Sequence, residues 1–281
     1  VARDIKGKFP NIHCVVLTPF SHGITKRMQN EDLSIFDYVF CWLGNTNLIL
    51  SIIKLIEDKM NLEHDIQEAG VQMILLVEDS IRFYSSILPN LYNYILEQSK
   101  NFSQEALNRH AATMRMRGRP KVVLARTYEE AQKLYDKYSD NTLGVISDAR
   151  FPLKSAAKAF GDEVMPEEKP KHRTDTFGRE KCPDAGLQLF RYIRKNDPFV
   201  PLIIESSESE NRAKAEAEGF RFVDKNSKKM SVDLRRLMEE HMGFGDFIFR
   251  DPQTHEEIMR IHSLKELQDN IFNIPNDSML Y

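Results

Sequence analysis

The chain has 281 residues, 41% of them apolar and 29% charged, enough to bury one large core or two ordinary ones and too apolar for a disordered tail. Its formal net charge of -3 supplies no basic field for nucleic acid or an anionic membrane. Three cysteines, at 14, 41 and 182, are too few and too scattered for a disulfide framework or a zinc site. The longest apolar stretch, 48–56, is interrupted by Ser51 and Lys54 and is too short to span a bilayer. No signal-peptide pattern opens the chain, so the expected location is cytoplasmic.

In chain order, ARDIKGKFP reads as the end of an amphipathic helix that begins earlier, which predicts a piece of a longer protein. HCVVLTPF (13–20) and DYVFCWLG (37–44) are apolar runs of strand length, and 45–66 follows as a long amphipathic helix. These elements make half of an α/β unit, 1–66. A second unit is predicted over 71–242. VQMILLVEDS (71–80) is a strand ending in two acids, and 81–97 is a helix with Pro89 placed to kink it. Ser103 caps a further helix to about Met114. KVVLA (121–125), LGVISD (143–148), VPLIIESS (200–207) and RFVDK (221–225) are strands, separated by helical patterns. Residues 153–183 are polar and proline-bearing and read as an inserted lid or disordered loop. The remainder, 243–281, predicts a hairpin of FIFRD and EEIMRIH with a short helix near 263–272, a connector.

Strands alternating with helices predict a doubly wound parallel sheet of order 2-1-3-4-5. In that order the first and third strands are neighbours at the point where the chain direction reverses. Glu78, Asp79 and Asp148 then meet at one edge, where mutual repulsion disfavours full ionisation unless a cation sits among them. Hard oxygen ligands with room for water suit Mg²⁺. Ser206 and Ser207 bring hydroxyls to the end of the fourth strand, and Lys225 brings to the fifth a point charge suited to a phosphoryl oxygen.

Through ILLVEDS, GVISDARFP, DAGLQLFRYIR, VPLIIESS and GFRFVDKNS, the stretch 71–242 resembles the receiver family of two-component response regulators, whose fold is flavodoxin-like. The resemblance implies phosphorelay signalling, with Asp148 as phosphoacceptor and Glu78 and Asp79 as the acidic pair that holds Mg²⁺. It implies that Arg150 lends a backbone carbonyl to the metal and that Lys225 contacts the phosphoryl group. Ser206 is the hydroxyl that tracks phosphorylation, and Phe222 the aromatic switch. Arg150 and Glu208 flank the path of an attacking water and are expected to pair. The sequence departs from the family at Asn226, where Pro is usual, and at Gly186, which comes only after the insertion. The segment between the first and second strands is also long enough for an extra helix. Residues 1–66 resemble the back half of a degenerate receiver, with Thr18 at the hydroxyl position, Tyr38 at the aromatic one and Cys41 in place of the Lys.

The partners so implied are a sensor histidine kinase or phosphotransfer protein and an output domain downstream. The apolar stripe of 48–60 is a candidate homodimer face. Two alternatives stand beside this reading. One is a receiver-like scaffold that is never phosphorylated. The other follows from the FGDFIFRDP-like tail, which resembles regulatory regions ahead of phosphoenolpyruvate synthase/pyruvate phosphate dikinase-type enzymes. RGRPK (117–121) has the core of a DNA minor-groove hook, but Pro120 leads straight into a strand, so it reads as a basic loop.

Overall fold

Apolar alternation along five short strands builds the centre of the protein. The computed structural model describes residues 2–19, 35–104, 106, 108–154, 174–175, 177–243, 246–254 and 256–280. Strands β3 (Met73–Val77), β4 (Lys121–Ala125), β5 (Thr142–Asp148), β8 (Leu202–Ser206) and β9 (Arg221–Asp224) form one parallel sheet in the order β4-β3-β5-β8-β9. Numbered within the sheet this is 2-1-3-4-5, the expected doubly wound α/β topology. Three of the strands, β3, β4 and β8, are buried along their whole length, as a sheet covered on both faces requires.

The period of two sorts the strand residues between two cores. Ile74, Leu76, Val122, Leu124, Ile146, Ile203 and Val223 face one side. There they meet α3 (Ile81–Gln104) and α8 (Met230–Leu237). Met73, Leu75, Val77, Val123, Val145, Leu202 and Ile204 face the other, against α5 (Tyr128–Tyr138) and α6 (Ala185–Asn196). α7 (Glu210–Ala217) connects β8 to β9 and buries Ala215 in the second core.

Ahead of this sheet, α1 (Ala2–Lys8) leads to β1 (Val15–Pro19) and β2 (Tyr38–Trp42), a separate parallel pair. α2 (Asn47–Ala69) follows and stops at Gly70, whose φ of 61° is the left-handed turn that only glycine adopts without strain. Tyr38, Val39, Phe40 and Cys41 of β2, with Leu48, Ile52 and Leu55 of α2, lie in the same apolar cluster as Ile74 and Leu76. The first segment and the five-stranded sheet therefore share one core.

Two local expectations are corrected. The helix predicted to stop at 97 runs to Gln104, continuing through Pro89, and the next helix is α4 (Arg109–Arg117) rather than 103–114. The stripe Ile81, Tyr84, Leu88, Leu91, Tyr92 and Ile95 is buried along α3. Burial of such a stripe outweighs the one backbone hydrogen bond a proline removes. The segment 153–183 is also not wholly a loop. β6 (Phe151–Pro152) pairs antiparallel with β7 (Lys181–Cys182). The body of the insertion, 155–173 with its KPKHR run, lies outside the described residues.

At the C-terminal end, a π turn at Met238–Met242 leads to β10 (Phe247–Arg250), which pairs antiparallel with β11 (Glu257–Ile261) as the expected hairpin. α9 (Leu264–Asn270) and β12 (Met279–Leu280), a third strand on β10, follow. Among the described residues no helix is long and apolar enough to cross a membrane.

Candidate functional site

Parallel strands that all point one way deliver their last residues to one edge. Glu78 and Asp79 follow β3 and are fully buried, Asp148 ends β5 and is 9% exposed, and Lys225 follows β9 and is 7% exposed. One carboxylate oxygen from each of Glu78, Asp79 and Asp148 lies within 4.8 Å of the others. Lys225 Nζ is ion-paired to Glu78 Oε2 and stands 3.0 Å from Asp148 Oδ1. The ring of Phe83 lies under the same ammonium, 4.6 Å away at its centroid. The expected acids and lysine are therefore one cluster.

The electrostatics follow from burial. Desolvation drives the Glu78 carboxyl well above the usual range, and the neighbouring Asp148, Glu205 and Asp79 push the same way against Lys225. Asp79 is raised to about 6, by burial first, with Lys181 opposing and Asp148 adding to the rise. Lys225 is buried, which alone would favour the neutral amine. Asp148, Glu78 and Glu205 outweigh that and hold it charged.

Asp148 is held on one oxygen. Its Oδ1 accepts from Ala149 N–H at 2.8 Å and faces Lys225, while Oδ2 accepts no hydrogen bond from the described residues. The chain behind it is fixed by Gly186, where a Cβ would come within 2.3 Å of the Asp148 carbonyl oxygen. The late glycine thus does pack against Asp148.

Ser206 is 4% exposed at the end of β8. Its Oγ accepts from Glu208 N–H at 3.1 Å and Asn211 Nδ2 at 2.9 Å, so its own proton remains to be donated. Phe222 is half-buried on β9, with the Arg212 guanidinium 4.7 Å above its ring. Arg150 and Glu208 pair at 3.0 Å across the rim, as the sequence predicts. Where Pro was expected, Asn226 ties its loop to the Ser207 carbonyl through Nδ2 at 2.9 Å. In the first segment Thr18 and Cys41 are register partners on β1 and β2, with Cys41 buried.

Two charged groups escaped the sequence reading. Glu205, one residue before Ser206, is fully buried, and neither of its oxygens meets a hydrogen-bond donor. Burial raises it to about 7, and a proton shared with Glu78 is the one hydrogen bond open to it. Its signal was an acid inside the apolar run VPLIIESS. Lys181, from β7, places Nζ 2.6 Å from Asp79 Oδ2. That ammonium holds the Asp79 carboxyl down against the rise that burial causes. Nothing in the insertion's composition singled out Lys181.

Four carboxyl groups therefore face two ammonium groups, an excess of acids over bases in a largely buried site. A small divalent cation fits that excess. Glu78, Asp79 and Asp148 would hold it, each offering one oxygen within 4.8 Å of the others, and hard oxygen ligands of this kind suit Mg²⁺. Asp79, fully buried and ion-paired to Lys181, would offer its carboxylate to the cation.

No family model matches the chain, and no curated protein does. Among solved structures it is similar to a response regulator receiver domain protein from Clostridium thermocellum, at 18% identity and a TM-score of 0.35, over 62% of this chain and 96% of that one. It is also similar to a two component transcriptional regulator AraC from Clostridium phytofermentans ISDg, at 15% identity and a TM-score of 0.30, over 61% of this chain and 92% of that one. Both are distant likenesses in structure.

Proposed function

We propose that this chain is a phosphorylatable receiver, which accepts a phosphoryl group on Asp148 with Mg²⁺ held by Glu78, Asp79, Asp148 and the Arg150 carbonyl. The observation that carries the reading is the convergence of Lys225 on Glu78 and Asp148, beside the fully buried carboxylate of Asp79. A structural ion pair needs one acid for one base. Here two strand ends contribute three acids, a third contributes a hydroxyl with a proton to give, and a fourth contributes the lysine.

Asp148 Oδ2 is the attacking oxygen, since Oδ1 is occupied by Ala149 N–H and Lys225. A new Oδ2–P bond forms in line as the donor's P–N bond breaks, and the departing electron pair stays on the imidazole of a phosphohistidine. Mg²⁺ would supply positive charge to the phosphoryl oxygens. Lys225 neutralises the same developing charge from the other side. Ser206 donates its proton to a phosphoryl oxygen and Phe222 follows it inward, which biases a second arrangement of the surface around α8. The partner is a protein bearing a phosphohistidine.

Acetyl phosphate with Mg²⁺ tests the reading. Mass spectrometry is expected to find one phosphoryl adduct, on Asp148, lost in Asp148→Ala and without Mg²⁺. An adduct that survives in Asp148→Ala would overturn it.

A further inference from the structure

We propose that Lys181 is a built-in competitor of the divalent cation, an ammonium that holds the Asp79 carboxylate until the metal displaces it. The inference rests on the metal reading of the site given above. Lys181 does not reach Asp79 by chance of a long side chain on a free loop. Its strand is fixed by pairing with β6, Pro152 opposite Lys181 and Phe151 opposite Cys182, immediately after the acceptor. The turn before it is tied down independently of the site. The Asp175 carboxylate, buried to 3%, accepts from the N–H groups of Phe177 at 2.9 Å and Arg179 at 2.8 Å, and from Arg179 Nε at 2.6 Å. A bridge between Thr174 and Glu180 closes the turn.

Of the three acids Glu78, Asp79 and Asp148, the anchored strand aims a largely buried ammonium at the one that Lys225 does not touch. Glu78 and Asp148 share Lys225, and Asp79 has Lys181. The site thus carries its own neutralising charges. A metal on Asp79 would stand about 2.1 Å from an oxygen, and Lys181 Nζ stands 2.6 Å from Oδ2 of the same carboxylate. Two like charges so close to one group oppose each other strongly in a dry site. Between them the divalent ion has twice the charge. Binding and the Lys181 contact are therefore linked with opposite sign. The apparent affinity falls by the fraction of molecules in which the pair is open. If the pair is closed nine-tenths of the time, the loss is about tenfold.

Isothermal titration of the whole chain with MgCl₂ tests this without any phosphoryl donor. Lys181→Met and Lys181→Gln are expected to bind Mg²⁺ about tenfold tighter than the parent. Lys181→Arg, which keeps the charge, is expected to stay within about threefold of it. Two neutral variants guard against one of them failing to fold, which far-UV circular dichroism shows. Equal or weaker binding in the neutral variants overturns the inference and leaves the metal site standing. Equal tightening in Lys181→Arg also overturns it, since strand geometry rather than charge would then be responsible. Absence of Mg²⁺ binding in every variant overturns the metal reading and this inference together. Failure of Asp148 to accept phosphate, with tighter Mg²⁺ binding in the neutral variants, overturns the phosphoryl reading alone.

Discussion

A carboxyl placed inside a fully buried strand, with no donor for either oxygen, costs stability wherever it is ionised. Glu205 is in that position. Burial raises it to about 7 from an ordinary 4.5, so between those values the folded protein holds a proton that the unfolded chain releases. Stability contributed by this group therefore falls as pH rises through that window, and the full cost is present above it. Glu205→Gln removes the charge and offers an amide to Glu78. In metal-free protein it is expected to raise stability by about 1–3 kcal/mol, more at pH 8 than at pH 6, as read by urea denaturation at both. A variant no more stable than the parent at pH 8 would show that Glu205 is not a burdened group. The same residue marks a boundary of sequence reading. Glu78, Asp79, Asp148 and Lys225 were legible because each closes an apolar run at a strand end, where the topology makes edges meet. Glu205 comes before the end of its run and was passed over in favour of the two serines that follow.

Between elements, the strongest clamp is also polar. Asp58 sits fully buried on the face of α2 that also buries Leu55 and Leu62. Its carboxylate accepts from Arg119 at 2.6 and 3.1 Å, from Tyr92 Oη at 2.9 Å and from Val122 N–H at 2.9 Å. One acid therefore joins α2, α3 and the entry to β4. Both oxygens are bonded, Oδ2 by three donors and Oδ1 by one, which is the condition under which a buried charge is tolerated. Removing one partner strands the other, so Asp58→Ala is expected to cost about 3–5 kcal/mol. The double change Asp58→Leu with Arg119→Met is expected to recover most of that loss, again by urea denaturation. If Asp58→Ala costs under about 1 kcal/mol, the clamp is ornamental. The arginine is the central one of RGRPK, and the adjoining Lys121 is likewise buried and paired with Asp65 at 2.7 Å. A basic run thus proved to be interior wiring. Sequence showed its charge and its place before a strand, but the acid that consumes Arg119 lies 61 residues earlier on another helix. Periodicity placed most elements within a few residues. It failed at 97–103, where Ser99 is buried and Phe102 meets Phe247 of β10, contacts that carry the helix past polar positions that local pattern assigns to a break.

At the scale of the molecule the open matter is whether 1–66 and 71–242 fold as two units, the division the sequence suggests. Their shared cluster argues for one. Phe40 of β2 is fully buried with its ring edge-on to Tyr84 of α3, centroids 5.4 Å apart. Tyr84 Oη in turn donates to the Val39 carbonyl, and Cys41 N–H donates to Ser85 Oγ at 2.9 Å. These bonds cross the expected boundary from strand to helix, in the same apolar core that holds Ile74 and Leu76 of the central sheet. Separation of the two segments would expose that core and leave the β2 groups without partners, so neither gains by opening alone. The sequence supplies a reporter for this, because its single tryptophan, Trp42, ends β2 in the first segment. Urea unfolding followed by Trp42 fluorescence reads that segment, while far-UV circular dichroism is dominated by the helices and strands of the rest. Coincident midpoints and slopes are expected, the signature of one cooperative transition. A Trp42 transition displaced from the dichroism curve would instead establish two units, with the shared cluster no more than a dockable interface.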